Sequence, residues 1–204
     1  MIQGFFVFCT SIKCIMSESF FEKEENVKQY LEMTADYDGL WFYEQFKKHI
    51  PPSYKALELG MGPGKDLDNI RQSYHVVGSD FSFTFAELYK RQHPEVKIMV
   101  LDAVTIKTPK RFNCIYSNKV LHHLTAKDLS ASIQRQAQVL EKDGLIFHTF
   151  WKGTGEENYE GMLFNYYEIE ALKELFDASF EIVHIDTYQE FKEDDSILLV
   201  ARKK

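Results

Sequence analysis

Between residues 55 and 150 the chain repeats one pattern: a short apolar run, a turn, a helical stretch, then another apolar run. The runs fall at 55–59, 75–79, 96–100, 112–117 and 145–150. Helical periodicity covers 66–72, 83–92 and 126–141, the last with Leu129, Ile133, Ala137 and Leu140 on one face. Apolar runs without strict alternation read as strands buried on both faces, and strands separated by helices pair in parallel. The expectation is an α/β domain whose parallel sheet is covered on both sides. Two helices precede it over 20–50, carrying Phe20, Phe21, Val27, Tyr30, Leu31 and Met33 and then Leu40, Trp41, Phe42, Phe46 and Ile50. The break between them is Asp36-Tyr37-Asp38-Gly39, and Pro51-Pro52 ends the second. After 150 the sequence predicts a glycine-containing loop over 151–161, a helix over 167–176, and a hairpin of 180–188 with 196–201.

The first apolar run leads into Ala56-Leu57-Glu58-Leu59-Gly60-Met61-Gly62-Pro63-Gly64. Glycine at every second position lets a ligand approach the backbone with no Cβ in the way. The helix that follows turns free amides toward a negative group, so a carboxylate or phosphate fits there. The second run ends at Asp80 and the third at Asp102, so Glu58, Asp80 and Asp102 are 22 residues apart each time (80 − 58 and 102 − 80). Equal spacing puts all three at the same edge of successive strands, facing one crevice. Ligands of open α/β sheets bind outside the carboxyl ends of the strands. Asp80 there can accept from two ribose hydroxyls, and Asp102 from an adenine amino group. A dinucleotide fingerprint would need G-x-G-x-x-G, whereas the spacing here is G-x-G-x-G.

Composition narrows the classes further. A length of 204 residues with 45% hydrophobic and 27% charged residues suits one ordered domain, alone or with a short appendage. The net charge of −7 and the lack of a long basic run argue against a grip on phosphate backbones. Lys107-Thr108-Pro109-Lys110-Arg111, the densest basic stretch, reads as a solvated loop. Cys9, Cys14 and Cys114 show no metal spacing, and an odd number of thiols fits a reducing, cytoplasmic setting. Residues 1–16 are largely apolar, yet no positive charge precedes Phe5-Phe6-Val7-Phe8 and Lys13 interrupts the run. They read as an extension, extraneous or weakly packed, rather than a signal peptide. Met16 as the start, or a membrane-surface anchor, are the other readings, and stable membrane insertion is not expected.

With these residues in place the chain resembles the class I S-adenosylmethionine-dependent methyltransferases over about residues 30–204. Residues 57–64 resemble that family's first motif, an acid before a G-x-G-x-G loop. Gly-Ser-Asp-Phe-Ser at 78–82 is similar to its ribose turn, and Leu101-Asp102-Ala103 to its adenine turn. Residues 112–124, ending Val-Leu-His-His-Leu, resemble its fourth strand and following loop in the branch that modifies small molecules. Leu140-Glu141-Lys142-Asp143-Gly144 is similar to the turn before the fifth strand. The resemblance implies a three-layer, doubly wound, mostly parallel seven-stranded sheet of order 3-2-1-4-5-7-6, its last strand antiparallel. It implies N-terminal helices over 17–50 capping the site and a cofactor-binding core over 51–204. S-adenosylmethionine is the implied cofactor, without a metal, with contacts expected from Glu58, Gly60, Met61, Gly62, Gly64, Asp80, Phe81, Asp102, Ala103 and Asn118. Two positions depart from the family: Asn113 stands where Asp is usual after Phe112, and Met61 replaces a small residue or cysteine.

Methyl transfer from a sulfonium mainly needs alignment, and a base only when the acceptor must lose a proton. His122 and His123 are the catalytic candidates, with at most one facing the acceptor, while His148 reads as a core residue. Tyr30, Tyr37, Trp41, Trp151 and Tyr166 are the substrate-site candidates, with Tyr159, Phe164 and Tyr167 joining an aromatic lid. The expected partner is a small-molecule methyl acceptor, with nucleic acid disfavoured and a monomer or homodimer in solution. An enzyme acting on RNA or protein, and an inactive binding scaffold, are the alternatives.

Overall fold

The computed structural model describes residues 24–159 and 161–204. Phe20, Phe21 and the apolar extension lie outside the described residues. Two short helices, α1 (Glu24–Met33) and α2 (Leu40–His49), lead into strand β1 (Lys55–Glu58). There follow α3 (Lys65–Ile70), β2 (His75–Asp80), α4 (Phe83–Gln92), β3 (Ile98–Val100) and β4 (Phe112–Asn118). A 3-10 turn, Leu121–His123, leads to α5 (Ala126–Val139) and the long β5 (Leu140–Lys152). The chain ends with β6 (Glu156–Tyr159), β7 (Met162–Tyr167), α6 (Ile169–Asp177), β8 (Phe180–Tyr188) and β9 (Ser196–Lys203).

Strands β3, β2, β1, β4 and β5 pair in parallel in that order. Strand β9 runs antiparallel against β5 from Leu145↔Arg202 to Trp151↔Ser196, and β8 closes the far edge antiparallel to β9. These seven strands have the expected order and the expected antiparallel return. The sheet has two more strands among the described residues, β6 and β7, where a loop was expected. They form a hairpin, and β7 runs parallel to the end of β5 at Trp151↔Tyr166 and Lys152↔Tyr167.

Because strand side chains alternate, successive residues of β5 enter opposite cores. Ile146 and Phe150 pack with Leu129, Ile133, Leu172 and Phe176 from α5 and α6. Leu145 and Phe147 pack with Phe42, Phe46 and Ile50 from α2 and its cap. Helix α2 is thus part of the main core. Asn113 accepts a hydrogen bond from the Lys55 backbone N–H at 3.1 Å, tying the start of β1 to β4. An amide oxygen serves that purpose as a carboxylate would, so the departure at Asn113 keeps the join. Among the described residues no helix is long and apolar enough to cross a membrane.

Candidate functional site

The carboxyl ends of β1, β2 and β4 meet the glycine loop at one edge. Gly60, Gly62 and Gly64 all have positive φ, at 67°, 49° and 85°. Two of them leave no room for a side chain: a Cβ on Gly60 would lie 2.6 Å from Val120, and one on Gly64 2.2 Å from the Tyr89 ring. Around the loop stand three buried acids. Asp80 accepts from the Gly62 N–H and the Ser82 N–H, both at 2.8 Å, one on each carboxylate oxygen. Glu58 accepts from the Tyr116 hydroxyl at 2.9 Å. Asp66, in the first turn of α3, accepts from the Tyr37 hydroxyl at 2.8 Å and the Asn118 amide at 3.1 Å. Asn118 also donates to Tyr37 Oη and accepts from Thr149, which ties α1–α2 to β4 and β5.

Burial raises the pKa of all three acids: Asp66 to about 6, Glu58 well above the carboxylate range, and Asp80 upward against its backbone donors. Asp66 adds repulsion at Glu58. None of the three forms an ion pair among the described residues. Their lone pairs exceed the donors they meet, so this edge is electrically suited to a cation. Tyr30 lies beside the loop, its ring edge-on to Phe85 at 5.8 Å. Its hydroxyl is pushed up to about 12 by burial, Asp80 and Asp66.

Other expected residues fall differently. Met61 turns into a small cluster with Leu67 and Tyr89, and its N–H is taken by Ser79 O. Asp102 accepts from the Val104 N–H at 2.7 Å and the Thr105 hydroxyl at 3.2 Å, holding its own turn. Ala103 accepts from Ser132 through its carbonyl. Phe81 is 51% exposed beside Asp80, open to a ligand lying along this edge. His148 is a core residue, as expected: it joins Ser117 to Gln136, both at 2.8 Å.

Beyond Asn118 lies an aromatic compartment. Lys119, with φ at 53°, sends Nζ to Phe150 O at 2.9 Å and Ser196 Oγ at 2.6 Å, over the Trp151 ring at 3.5 Å. Burial lowers its pKa to about 7, against the pull of Glu190 and Asp195. Trp41 stacks on Tyr188 at 4.0 Å, and Trp151 on Phe191 at 5.8 Å. The two histidines differ. His123 Nδ1 pairs with Leu163 O at 2.6 Å. His122 is 1% exposed, and both its ring nitrogens are without a hydrogen-bond partner. Tyr166 does not join this group through its hydroxyl, which donates to Glu157 on its own hairpin at 3.1 Å. Tyr159 is exposed, and Tyr167 packs on Phe150 in the core. A depression lined by Lys55, Arg71, Tyr74 and His75 lies at the opposite ends of β1 and β2.

Sequence reasoning missed Asp66, Lys119, Tyr188 and Asn165. Asp66 had a signal, being the acid next to the glycine loop. Tyr188 and Asn165 reach the compartment only by tertiary pairing, from β8 and β7.

Residues 56–144 match a sequence family described as a methyltransferase domain. No curated protein sequence matches the chain. Solved structures share the fold. One is a 1,6-didemethyltoxoflavin-N1-methyltransferase from Burkholderia thailandensis, bound to 1,6-didemethyltoxoflavin and S-adenosylhomocysteine. It has TM-score 0.70 at 18% identity, over 87% of each chain. An N-methyltransferase from Bradyrhizobium japonicum in complex with S-adenosylhomocysteine gives TM-score 0.62 at 14% identity, over 87% of this chain and 98% of that one. A glycopeptide N-methyltransferase complexed with S-adenosylhomocysteine gives 0.70 at 13%, over 90% and 99%.

Proposed function

We propose that this chain, whose residues 56–144 match a methyltransferase domain, transfers a methyl group from S-adenosylmethionine to a small-molecule acceptor. The observation that carries this reading is the set of buried acids, Glu58, Asp66 and Asp80, gathered at the glycine loop without a cationic partner among the described residues. The donor is a cation at its sulfonium and amino groups, and it supplies an activated methyl with a neutral leaving group. A ligand of that charge offsets the burial that raises Glu58 and Asp66, and the repulsion that Asp66 adds at Glu58. Gly60, Gly62 and Gly64 let it lie against the backbone, and Asp80 and Phe81 line the side where a nucleoside would rest.

The residues of the chain bind, orient and exclude water. Tyr30 and Tyr37 cover the loop from the N-terminal helices, and Asn118 fixes Tyr37 and Asp66 in one network. Trp41, Tyr188, Trp151 and Phe164, which cluster around Lys119 and the histidine turn, are the side chains we assign to the acceptor. The fold neighbours, a 1,6-didemethyltoxoflavin-N1-methyltransferase and a glycopeptide N-methyltransferase, support acceptors smaller than a nucleic acid, as does the net charge of −7. The cysteine pattern supports a cytoplasmic setting.

Calorimetric titration tests the reading. S-adenosylmethionine and S-adenosylhomocysteine are expected to bind the wild type at micromolar affinity. Asp80→Ala is expected to weaken both by about 1–3 kcal/mol, the range for a lost hydrogen bond to a charged group. A folded wild type that binds neither would leave only a binding scaffold.

A further inference from the structure

We infer that the edge of the sheet opposite the glycine loop docks on an anionic lipid surface, by charge alone. The inference goes beyond the methyl-transfer reading and does not depend on it. Strands β1 to β5 and β8 begin at this edge, and β9 ends there. Seven separate segments form it: 47–55, 71–75, 90–97, 107–111, 140–144, 177–181 and 202–204. Together they hold fourteen of the chain's 24 Lys and Arg but five of its 31 Asp and Glu. The remainder of the chain is therefore strongly acidic. No basic run announces this face in the sequence, because the fold assembles it from short pieces.

Helix ends explain part of this face and leave the rest. A cation in the last turn of a helix is favoured by the macrodipole, which accounts for Lys47 and Lys48 in α2 and for Lys90 and Arg91 in α4. Most of the others stand at strand ends and in loops. Lys55 and His75 are opposite each other in register on β1 and β2, and Lys97 comes directly before β3. Further along, Arg111 and Lys203 converge on one carbonyl, Leu140 O, at 3.3 Å and 2.9 Å. None of these five forms an ion pair among the described residues. The fold thus holds basic groups side by side, an arrangement that an anionic partner stabilises. Two depressions open between them, one of about 440 Å³ beside Lys55, Arg71, His75 and Lys97, the other of about 500 Å³ beside Arg111, Gln138, Ser179 and Lys203. Each is wide enough for a phosphate group.

The net charge of −7 does not prevent this docking. The seven residues of β4 separate the basic edge from the acids of the glycine loop by about 20 Å, more than twice the screening length of about 8 Å at physiological salt. The chemistry of the face selects the partner. None of the seven segments carries an exposed large hydrophobic side chain among the described residues. Single-stranded nucleic acid needs aromatic platforms for its bases, and this edge offers none. Helices α2 to α6 all end here, so they present carbonyls rather than N-terminal amides to a phosphate, and no helix reaches out to enter the groove of a duplex. A lipid surface asks for a broad face of cations, and seven strands about 4.8 Å apart make one roughly 30 Å wide. With no apolar side chain to insert, the attachment is reversible and sensitive to salt. It leaves the glycine loop, at the far edge, facing water.

The test is flotation of the full chain with vesicles of phosphatidylcholine, alone or mixed about two to one with phosphatidylserine. The wild type is expected on the anionic vesicles, not on the neutral ones, and should leave them as salt is raised. Lys90, Lys97 and Lys110 are exposed, and their ammonium groups form no hydrogen bond or ion pair among the described residues. The triple variant Lys90→Gln, Lys97→Gln, Lys110→Gln should bind about a hundredfold more weakly, at about fivefold for each cation near the surface. The double variant Lys127→Gln, Lys192→Gln, altered at the opposite edge, should bind like the wild type. Thermal unfolding verifies that the variants are folded, and Lys97→Gln alone, with a loss of about fivefold, takes the place of a triple variant that is not. Absence from anionic vesicles at low salt, equal binding to neutral vesicles, or a folded variant of this edge that binds like the wild type would overturn the inference. Duplex DNA that displaces the chain from the vesicles at equal phosphate concentration would give the edge to nucleic acid instead. Self-association at low salt that the triple variant abolishes would give it to the acidic edge of a second copy.

Discussion

At the scale of single residues, the chain of hydrogen bonds through His148 has a fixed direction. The Gln136 amide nitrogen donates to Ser132 Oγ at 3.1 Å, so its oxygen accepts from His148 Nε2 at 2.8 Å, and Nδ1 is left to accept from Ser117. Ser132 then donates to Ala103 O at 2.7 Å. The imidazole is therefore neutral, and burial lowers its pKa from 6.5 to about 3. A depressed pKa means that the unfolded chain takes up the proton first. The contribution of His148 is complete above about pH 6.5 and falls as pH drops toward 3. Asp66, raised to about 6, titrates in the same range with opposite sign, so wild-type stability alone would not isolate the effect. The difference between wild type and His148→Leu does. In urea unfolding it should be largest at pH 7 and narrow below pH 6.5 by up to about 1.4 kcal/mol per unit. A difference independent of pH would show that the imidazole takes up its proton as readily in the fold as in the unfolded chain. The sequence placed His148 in the core as a residue of the fifth strand. It did not disclose the partners, which come from a helix and a strand 12 and 31 positions away.

Among the elements, legibility followed burial. Strands β1, β2, β4 and β5 are buried on both faces, so their apolar runs were visible in the sequence. The hairpin was not. Every residue of β6 is exposed, and every residue of β7 is half-buried, which erases both the apolar run and the alternation that announces a strand. Helix α6 was expected from 167 and begins at Ile169, because Tyr166 and Tyr167 are taken up in pairing with β5. This hairpin is held over the 3-10 turn by Asn165, through the carbonyls of His122 and Leu124, together with His123 on Leu163 O and Phe164 against both histidine rings. Asn165→Ala removes both hydrogen bonds while leaving the two cores intact. The hairpin should open more often, and chymotrypsin should cut after the exposed Tyr159 about five- to thirtyfold faster, corresponding to 1–2 kcal/mol. The urea midpoint should barely move. Unchanged cleavage would mean that pairing with β5 and the contacts of Leu163 and Phe164 with the histidine turn suffice to hold the hairpin closed.

In the molecule as a whole, the glycine loop is where three parts of the chain converge: the N-terminal helices through Tyr30 and Tyr37, the sheet edge through Asp80 and Asn118, and α3 through Asp66. The sequence marked the sheet's share of this site, since Gly60, Gly62, Gly64 and Asp80 recur at strand ends. It could name Tyr30 and Tyr37 only as candidates, because a contact such as Tyr37 to Asp66, 29 positions apart, depends on how the helices dock. That docking is uneven. Helix α2 is anchored by Phe42 and Phe46, each at most 1% exposed, whereas α1 has only Val27 fully buried among its described side chains. A helix of 10 residues is marginal without tertiary support. If Tyr30 and Tyr37 close over a bound ligand, binding energy passes to the weakest part first. S-adenosylhomocysteine at a hundred times its dissociation constant stabilises the bound state by about 2.7 kcal/mol. Amide exchange over 24–37 should then slow by up to about a hundredfold. Exchange in α5, whose Leu129 and Ile133 are already locked in the core, should change little. Equal slowing everywhere would indicate that α1 opens only with the whole domain. No slowing in 24–37, with the ligand bound, would detach the N-terminal helices from the cofactor site and leave the glycine loop and Asp80 to hold it alone.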